Sequence, residues 1–224
     1  MFDTVHQEAD CRLRGGAFVL HEVAVMRAFE AVLMRSFGRP GGILGWLGGK
    51  LMASMNKPCA AWVIGLLDIR VPDRVLEIGF GPGVGIQLLV ETAMPAHVDG
   101  IDASQEMLKQ ATARNAAAIG DGKVNLRLGP AESLPFDNDT FDKILTINSM
   151  QIWQDPEAAL AEIRRVLKAG GTIALGFTIY SGQKPGGLVE RLAAAGFSQA
   201  RLVETDKAFC ALAVKPHQTL TRPC

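Results

Sequence analysis

The chain has 224 residues, 48% of them hydrophobic, which is enough for one well-buried core and short for two full domains. Twenty-three basic residues balance twenty-three acidic ones with no run of like charge, so the electrostatic footprint of a nucleic-acid binder is missing. The four cysteines, Cys11, Cys59, Cys210 and Cys224, form no CxxC pair and have no histidine at ligand spacing, so neither a metal site nor a disulfide framework is expected.

The N-terminal stretch "MFDTVHQEADCRLRGG" is polar. The apolar run after it is interrupted by His21, Glu22, Arg27 and Glu30, which fits neither a signal peptide nor a membrane span. A cytoplasmic protein is expected. Residues 1–70 read as helical, with the glycine-rich "GRPGGILGWLGGK" at 38–50 as a hinge or loop and a further helical stretch broken around Pro58.

From Arg74 onward strand and helix patterns alternate, which predicts a mostly parallel sheet with helices on both faces. "RVLEIG" (74–79) feeds the helical "VGIQLLVETA", and "HVDGID" (97–102) feeds "SQEMLKQATARNAAA". "VNLRLG" (124–129) and "FDKILTIN" (141–148) are the next strands. The helix that follows has Asp155 as cap and Pro156 in its first turn, with Leu160, Ile163 and Leu167 on one face. Arg164, Arg165 and Lys168 lie toward its end, and Gly170 and Gly171 stop it. "GTIALGFT" (171–178) is a fifth strand, "PGGLVERLAAAGF" a helix closed near Gly196, and "QARLVET" and "AFCALAVKP" a closing pair. Too few residues separate that pair for a parallel crossover, so the last strand is expected to run antiparallel.

The chemistry is signalled by "VLEIGFGPGVG" (75–85), an apolar strand ending at Glu77 and followed by glycines at 79, 81, 83 and 85. Such a turn offers bare N–H groups and a helix N-terminus to a ligand at the carboxyl end of the first strand. A triphosphate loop would need Gly-Lys followed by Ser or Thr, which is not there. A dinucleotide fingerprint would need a third glycine at 84 or 86, where the chain has Val84 and Ile86. Asp102, about twenty residues beyond the glycines, is suited to accept from the hydroxyls of an adenosine ribose.

The ordered strings "VLEIGFGPG", "GIDASQEML", "LGPAESLPFDNDTFDKI" and "EIRRVLKAGGTIAL" resemble the motif set of the class I S-adenosylmethionine-dependent methyltransferases. The resemblance spans about residues 57–216. It implies an α/β Rossmann-like fold with a seven-stranded, mostly parallel sheet, an antiparallel last strand and helices on both faces. It divides the chain into a helical extension (1–56), a cofactor-binding domain (57–216) and a tail (217–224). The implied cofactor is S-adenosyl-L-methionine, leaving S-adenosyl-L-homocysteine as product.

By the same resemblance Glu77, Gly79, Gly81 and Gly83 approach the methionine half, Asp102 the ribose, and Ala103 and Met107 the adenine face. Ala131 and Glu132 lie along the adenine edge, and Asn148 lies near the amino-acid end. Pro130 departs from the pattern, because relatives often carry an aspartate there.

The implied partner is a small-molecule methyl acceptor, with no nucleic acid and no membrane span. Methyl transfer is a direct displacement in which orientation can supply about 7 to 11 kcal/mol and a general base is optional; no catalytic residue is assigned. Candidates for the acceptor side are "NSMQIW" (148–153), Tyr180 and the N-terminal extension. Leu44, Trp46, Leu47, Leu51, Met52 and Met55 would give that extension an apolar inner side. It is expected to serve either as a lid over a lipophilic acceptor or as packing on the sheet or in a homodimer. A domain that binds the cofactor without transferring its methyl group is the alternative from a different class.

Overall fold

The computed structural model describes residues 56–217. The extension and its lid candidates, and nearly all of the C-terminal tail, lie outside the described residues. Residues 56–66 form helix α1, and Pro58 falls within it. The strands are β1 (Arg74–Ile78), β2 (His97–Asp102), β3 (Val124–Leu128), β4 (Phe141–Ile147), β5 (Leu167–Thr178), β6 (Ser198–Glu204) and β7 (Ala208–Val214). The helices between them are α2 (Val84–Leu88), α3 (Gln105–Arg114), α4 (Ala116–Gly120), α5 (Pro156–Val166) and α6 (Leu188–Ala194).

The seven strands make one sheet in the order β3-β2-β1-β4-β5-β7-β6. The pairs among β1 to β5 are parallel, whereas β7 runs antiparallel to both β5 and β6, the pairing with β6 following from the short connection between them. Strand order reverses between β1 and its neighbours β2 and β4. The loop after β1 therefore opens at the switch point where such sheets bind ligands.

Side-chain alternation sorts the core into two layers. On one face Val75, Leu145, Ala174 and Leu212 pack with Val63 of α1, Ile86 of α2 and Met107 and Ala111 of α3. On the other, Leu76, Ile144, Ile173 and Ala211 pack with Leu160 and Ile163 of α5 and Leu188 and Leu192 of α6. Gly176 lets α1 lie close to β5, because a Cβ there would strike Val63.

Three boundaries differ from the sequence reading. Helix α5 begins as expected, with Asp155 accepting from Ala158 N at 3.0 Å, but it ends at Val166 rather than at the glycines. Leu167 is already extended, with ψ 135°, and pairs with Phe141 on β4. Lys168 consequently serves the strand, meeting Asp142 at 2.8 Å, and not the helix end. The helix after β2 is split at Asn115, whose side-chain amide turns inward to the carbonyls of Gly83 (3.1 Å) and Ala111 (2.9 Å). The helix after the glycines loosens into a π turn over Leu89–Ala93, where the Thr92 hydroxyl donates to Leu88 O at 2.7 Å.

Candidate cofactor site

The four glycines meet four different constraints. Gly79, Gly81 and Gly83 all have positive φ (72°, 52° and 80°), where any other residue is strained by about 1 to 2 kcal/mol. A Cβ on Gly79 would strike Ser149, and one on Gly85 would strike the Glu77 carboxylate. One on Gly83 would come within 2.8 Å of Ala111 and 2.7 Å of the Asn115 amide. Only at Gly81 would it meet nothing within 4 Å. Three of these glycines thus let protein approach protein, while Gly81 faces open space at the mouth of the turn.

Two carboxylates flank that opening. Glu77 is 2% exposed, and its Oε2 is buried without a hydrogen-bond partner. Burial pushes its carboxyl up to about 8; the neighbouring Asp102 charge adds to the rise, and a hydrogen bond from the Ile86 N–H opposes it. Asp102 ends β2 and accepts from Gly81 N through Oδ2 and from Ser104 N through Oδ1, both at 2.8 Å. Its carboxyl is also raised by burial, against the pull of these two N–H groups. A carboxylate has about four lone-pair sites, so each oxygen of Asp102 can still accept from a ligand hydroxyl.

Residues 76–175 match a family described as a methyltransferase domain. An uncharacterized methyltransferase of Bacillus subtilis, YdaC, is 35% identical over 129 residues, covering 58% of this chain and 69% of that protein. The chain belongs to the class I S-adenosylmethionine-dependent methyltransferases. The ubiquinone/menaquinone biosynthesis C-methyltransferase of Geotalea daltonii is 32% identical over 46% of this chain and 44% of its own length. In fold, the chain is similar to a solved S-adenosylmethionine-dependent methyltransferase structure from Methanococcus maripaludis, with a TM-score of 0.66 at 20% identity over 81% of this chain and 98% of that one.

The cofactor of this methyltransferase is therefore S-adenosylmethionine, and the residues at the turn fit it. An orphaned buried carboxylate oxygen suits a cationic α-ammonium, the open face of Gly81 admits a ligand against bare backbone, and the remaining lone pairs of Asp102 suit two hydroxyls. Ala103, exposed beside Asp102, and Met107, 8% exposed on α3, lie just past the end of β2. Met107 is at the same time part of the core. Ala131 is buried in the opposite core layer.

Glu132 has a structural engagement that the sequence did not reveal. Its Oε1 accepts from Gln154 N (2.8 Å) and Asp155 N (3.1 Å), tying the loop after β3 to the start of α5. Asn148 sits at φ 49°, and its side-chain amide is fully engaged. It donates to Asn56 Oδ1 (2.9 Å) and Thr178 Oγ1 (3.2 Å) and accepts from Thr178 N (2.8 Å). Its backbone N–H donates to Gly176 O (2.9 Å) and its carbonyl accepts from Gln151 Nε2 (2.8 Å), which leaves one carbonyl lone pair for a ligand.

Sequence reasoning missed the end of α3. Arg114 Nε donates to Pro82 O at 2.8 Å and Asn115 to Gly83 O, so the glycine turn is gripped from the same helix whose first residues flank Asp102. The one legible signal was an asparagine inside a helical pattern, a residue that competes for backbone groups. Trp153 is a packing residue, its Nε1 donating to Ser149 Oγ at 3.0 Å. Among the described residues no group of three or more His, Cys, Asp or Glu is placed to hold a metal, and no helix is long and apolar enough to cross a membrane.

These different glycine environments predict different outcomes for filling Gly81 and Gly83. Gly83→Val drives atoms into α3 and is expected to lower the melting temperature sharply. Gly81→Val should retain more of the fold while losing S-adenosylhomocysteine binding. Thermal melts beside calorimetry separate the two, and equal destabilisation with equal loss of binding would refute the distinction.

Proposed function

We propose that this methyltransferase passes its methyl group to a small, predominantly apolar acceptor by direct displacement. The observation that carries the reading is the set of large apolar side chains left exposed past the carboxyl ends of β4 and β5, the side of the sheet on which the glycine turn lies. Ile152 is 43% exposed, Ile179 49% and Tyr180 42%. Apolar side chains left exposed on the ligand side of the sheet suit contact with an apolar partner. The Geotalea relative, a quinone-biosynthesis C-methyltransferase by name, supports the same class.

The cofactor supplies an electrophilic methyl group on its sulfonium. In the proposed arrangement Glu77 and the turn Gly79 to Gly83 hold the methionine half, Asp102 holds the ribose, and Ala103, Met107, Ala131 and Glu132 border the adenine. The backbone of Asn148 borders the amino-acid end. The loop after β4, "NSMQIW", carries no side chain that titrates near neutrality. In this reading the protein's contribution is orientation in line with the sulfonium, with the acceptor supplying its own nucleophilicity.

The test is transfer of labelled methyl from S-adenosylmethionine to a panel of apolar phenols and quinols, polar metabolite-like amines and acids, a protein mixture and RNA. Label is expected in the solvent-extractable apolar products. Label confined to the polar, protein or RNA fractions would overturn the reading.

A further inference from the structure

Gln151 lies in the single 3-10 turn Met150–Ile152 that follows β4. Its side-chain Nε2 donates to the carbonyl of Asn148 at 2.8 Å. Because a carbonyl can only accept, this bond settles which end of the carboxamide faces Asn148. The other end, Oε1, is buried and has no hydrogen-bond partner. Asn148 cannot swing away to relieve it, being held at φ 49° by Thr178 and Asn56. A rigid, dehydrated carbonyl oxygen has thus been placed at the loop where β4 meets the cofactor side of the sheet, next in sequence to the exposed Ile152.

Buried acceptors are ordinarily paired, and an unpaired one in a fixed orientation is a specific cost to the fold. A carboxamide oxygen accepts and never donates, so its partner must bring an O–H or N–H. Trp153 spends its indole N–H on Ser149 and the Thr178 backbone N–H goes to Asn148, which leaves these neighbouring donors engaged elsewhere.

We propose that Gln151 Oε1 is the hydrogen-bond acceptor that orients the methyl acceptor, and that the substrate is an apolar molecule carrying a hydroxyl or N–H donor that remains protonated as it binds. This rests on the proposed function above and narrows it from apolar acceptors in general to apolar donors. Gln151 then discriminates against the analogue without the donor, because that analogue leaves the oxygen dehydrated and unpaired.

The experiment uses the full chain saturated with S-adenosylhomocysteine and a matched pair of probes, 2-naphthol and 2-methylnaphthalene, with binding followed by calorimetry. Wild-type protein is expected to bind the naphthol at least tenfold more tightly. Gln151→Leu should bring the two probes within twofold of each other while the dissociation constant for S-adenosylhomocysteine stays unchanged, which also shows that the variant is folded. Equal binding of both probes by wild type would overturn this proposal and leave the apolar-acceptor reading standing. Binding of neither would overturn both. A parallel loss of S-adenosylhomocysteine affinity in Gln151→Leu would place the residue in cofactor binding, directly or through its bond to Asn148, and overturn the proposal.

Discussion

Raising the pH from 5 to 8.5 is expected to destabilise the cofactor-free protein, and replacing Glu77 by glutamine is expected to remove most of that loss. Glu77 is buried with Oε2 unpaired, and its carboxyl is raised from 4.5 to about 8, chiefly by desolvation. A carboxyl raised on folding is protonated in the native state at pH values where the unfolded chain has already released the proton. Stability is then greatest below about 4.5, falls as pH rises through the window up to about 8, and levels off above it. At about 1.4 kcal/mol per unit, the cost of the ionised group above pH 8 is on the order of 5 kcal/mol. The carboxyls of Asp142, hydrogen-bonded by Arg74 N and Lys168, and Glu162, paired with Arg165, are lowered. They titrate on the acid side; Asp102, also raised by burial, adds a loss of the same sign as Glu77.

Urea unfolding at pH 5.5 and 8.5 reads the effect, with wild type losing stability across the interval and Glu77→Gln losing much less. Parallel pH dependences in the two proteins would refute it. An α-ammonium seated against Glu77 would favour the ionised carboxylate. S-Adenosylhomocysteine should therefore bind with proton release near pH 7 and gain affinity toward pH 8 in wild type alone. Calorimetry in buffers of different ionisation enthalpy measures that proton.

Asp102→Ala is expected to weaken S-adenosylhomocysteine binding by at least about 1.5 to 3 kcal/mol, the worth of hydrogen bonds to a charged group, or roughly 10- to 150-fold. The loss should reach the upper end, because the same carboxylate holds Gly81 N and Ser104 N at 2.8 Å. Its removal frees the turn as well as the ribose contact. Asp102→Asn, which keeps one acceptor oxygen, should lose less. The alanine variant should also titrate Glu77 at lower pH, since the Asp102 charge is one of the causes that raise it. An unchanged dissociation constant in Asp102→Ala would remove this residue from the site.

The sheet was legible because its signals are local. Apolar runs such as "VLEI" and "ILTI", separated by helix-length segments, prescribe buried parallel strands. The short link between "QARLVET" and "AFCALAVKP" permits only antiparallel pairing, which β6 and β7 show. The place of the cofactor turn was legible for the same reason, since a strand, a glycine cluster and an acid twenty residues on all lie on one short piece of chain. Asp155 as a cap could likewise be read from its neighbours alone.

What the sequence could not show is which atoms are brought together from far along the chain. Gly83 reads like its fellow glycines until Asn115 and Ala111 arrive from α3. Glu132 reads as a ligand acid until Gln154 and Asp155 offer it their N–H groups. Asn148 and Gln151 read as a polar loop until Asn56 and Thr178 close around the first and the second is left with one bonded and one unpaired end. The stop of α5 at Val166 was equally hidden, because helix propensity favours continuing through Leu167 and Lys168. Pairing with Phe141 and Asp142 on the neighbouring strand overrides it. Propensity and spacing act over a few residues and so determine elements and their order. Burial, pKa and the engagement of polar groups depend on contacts across 20 to 90 residues, which only the folded chain brings within a hydrogen bond's reach.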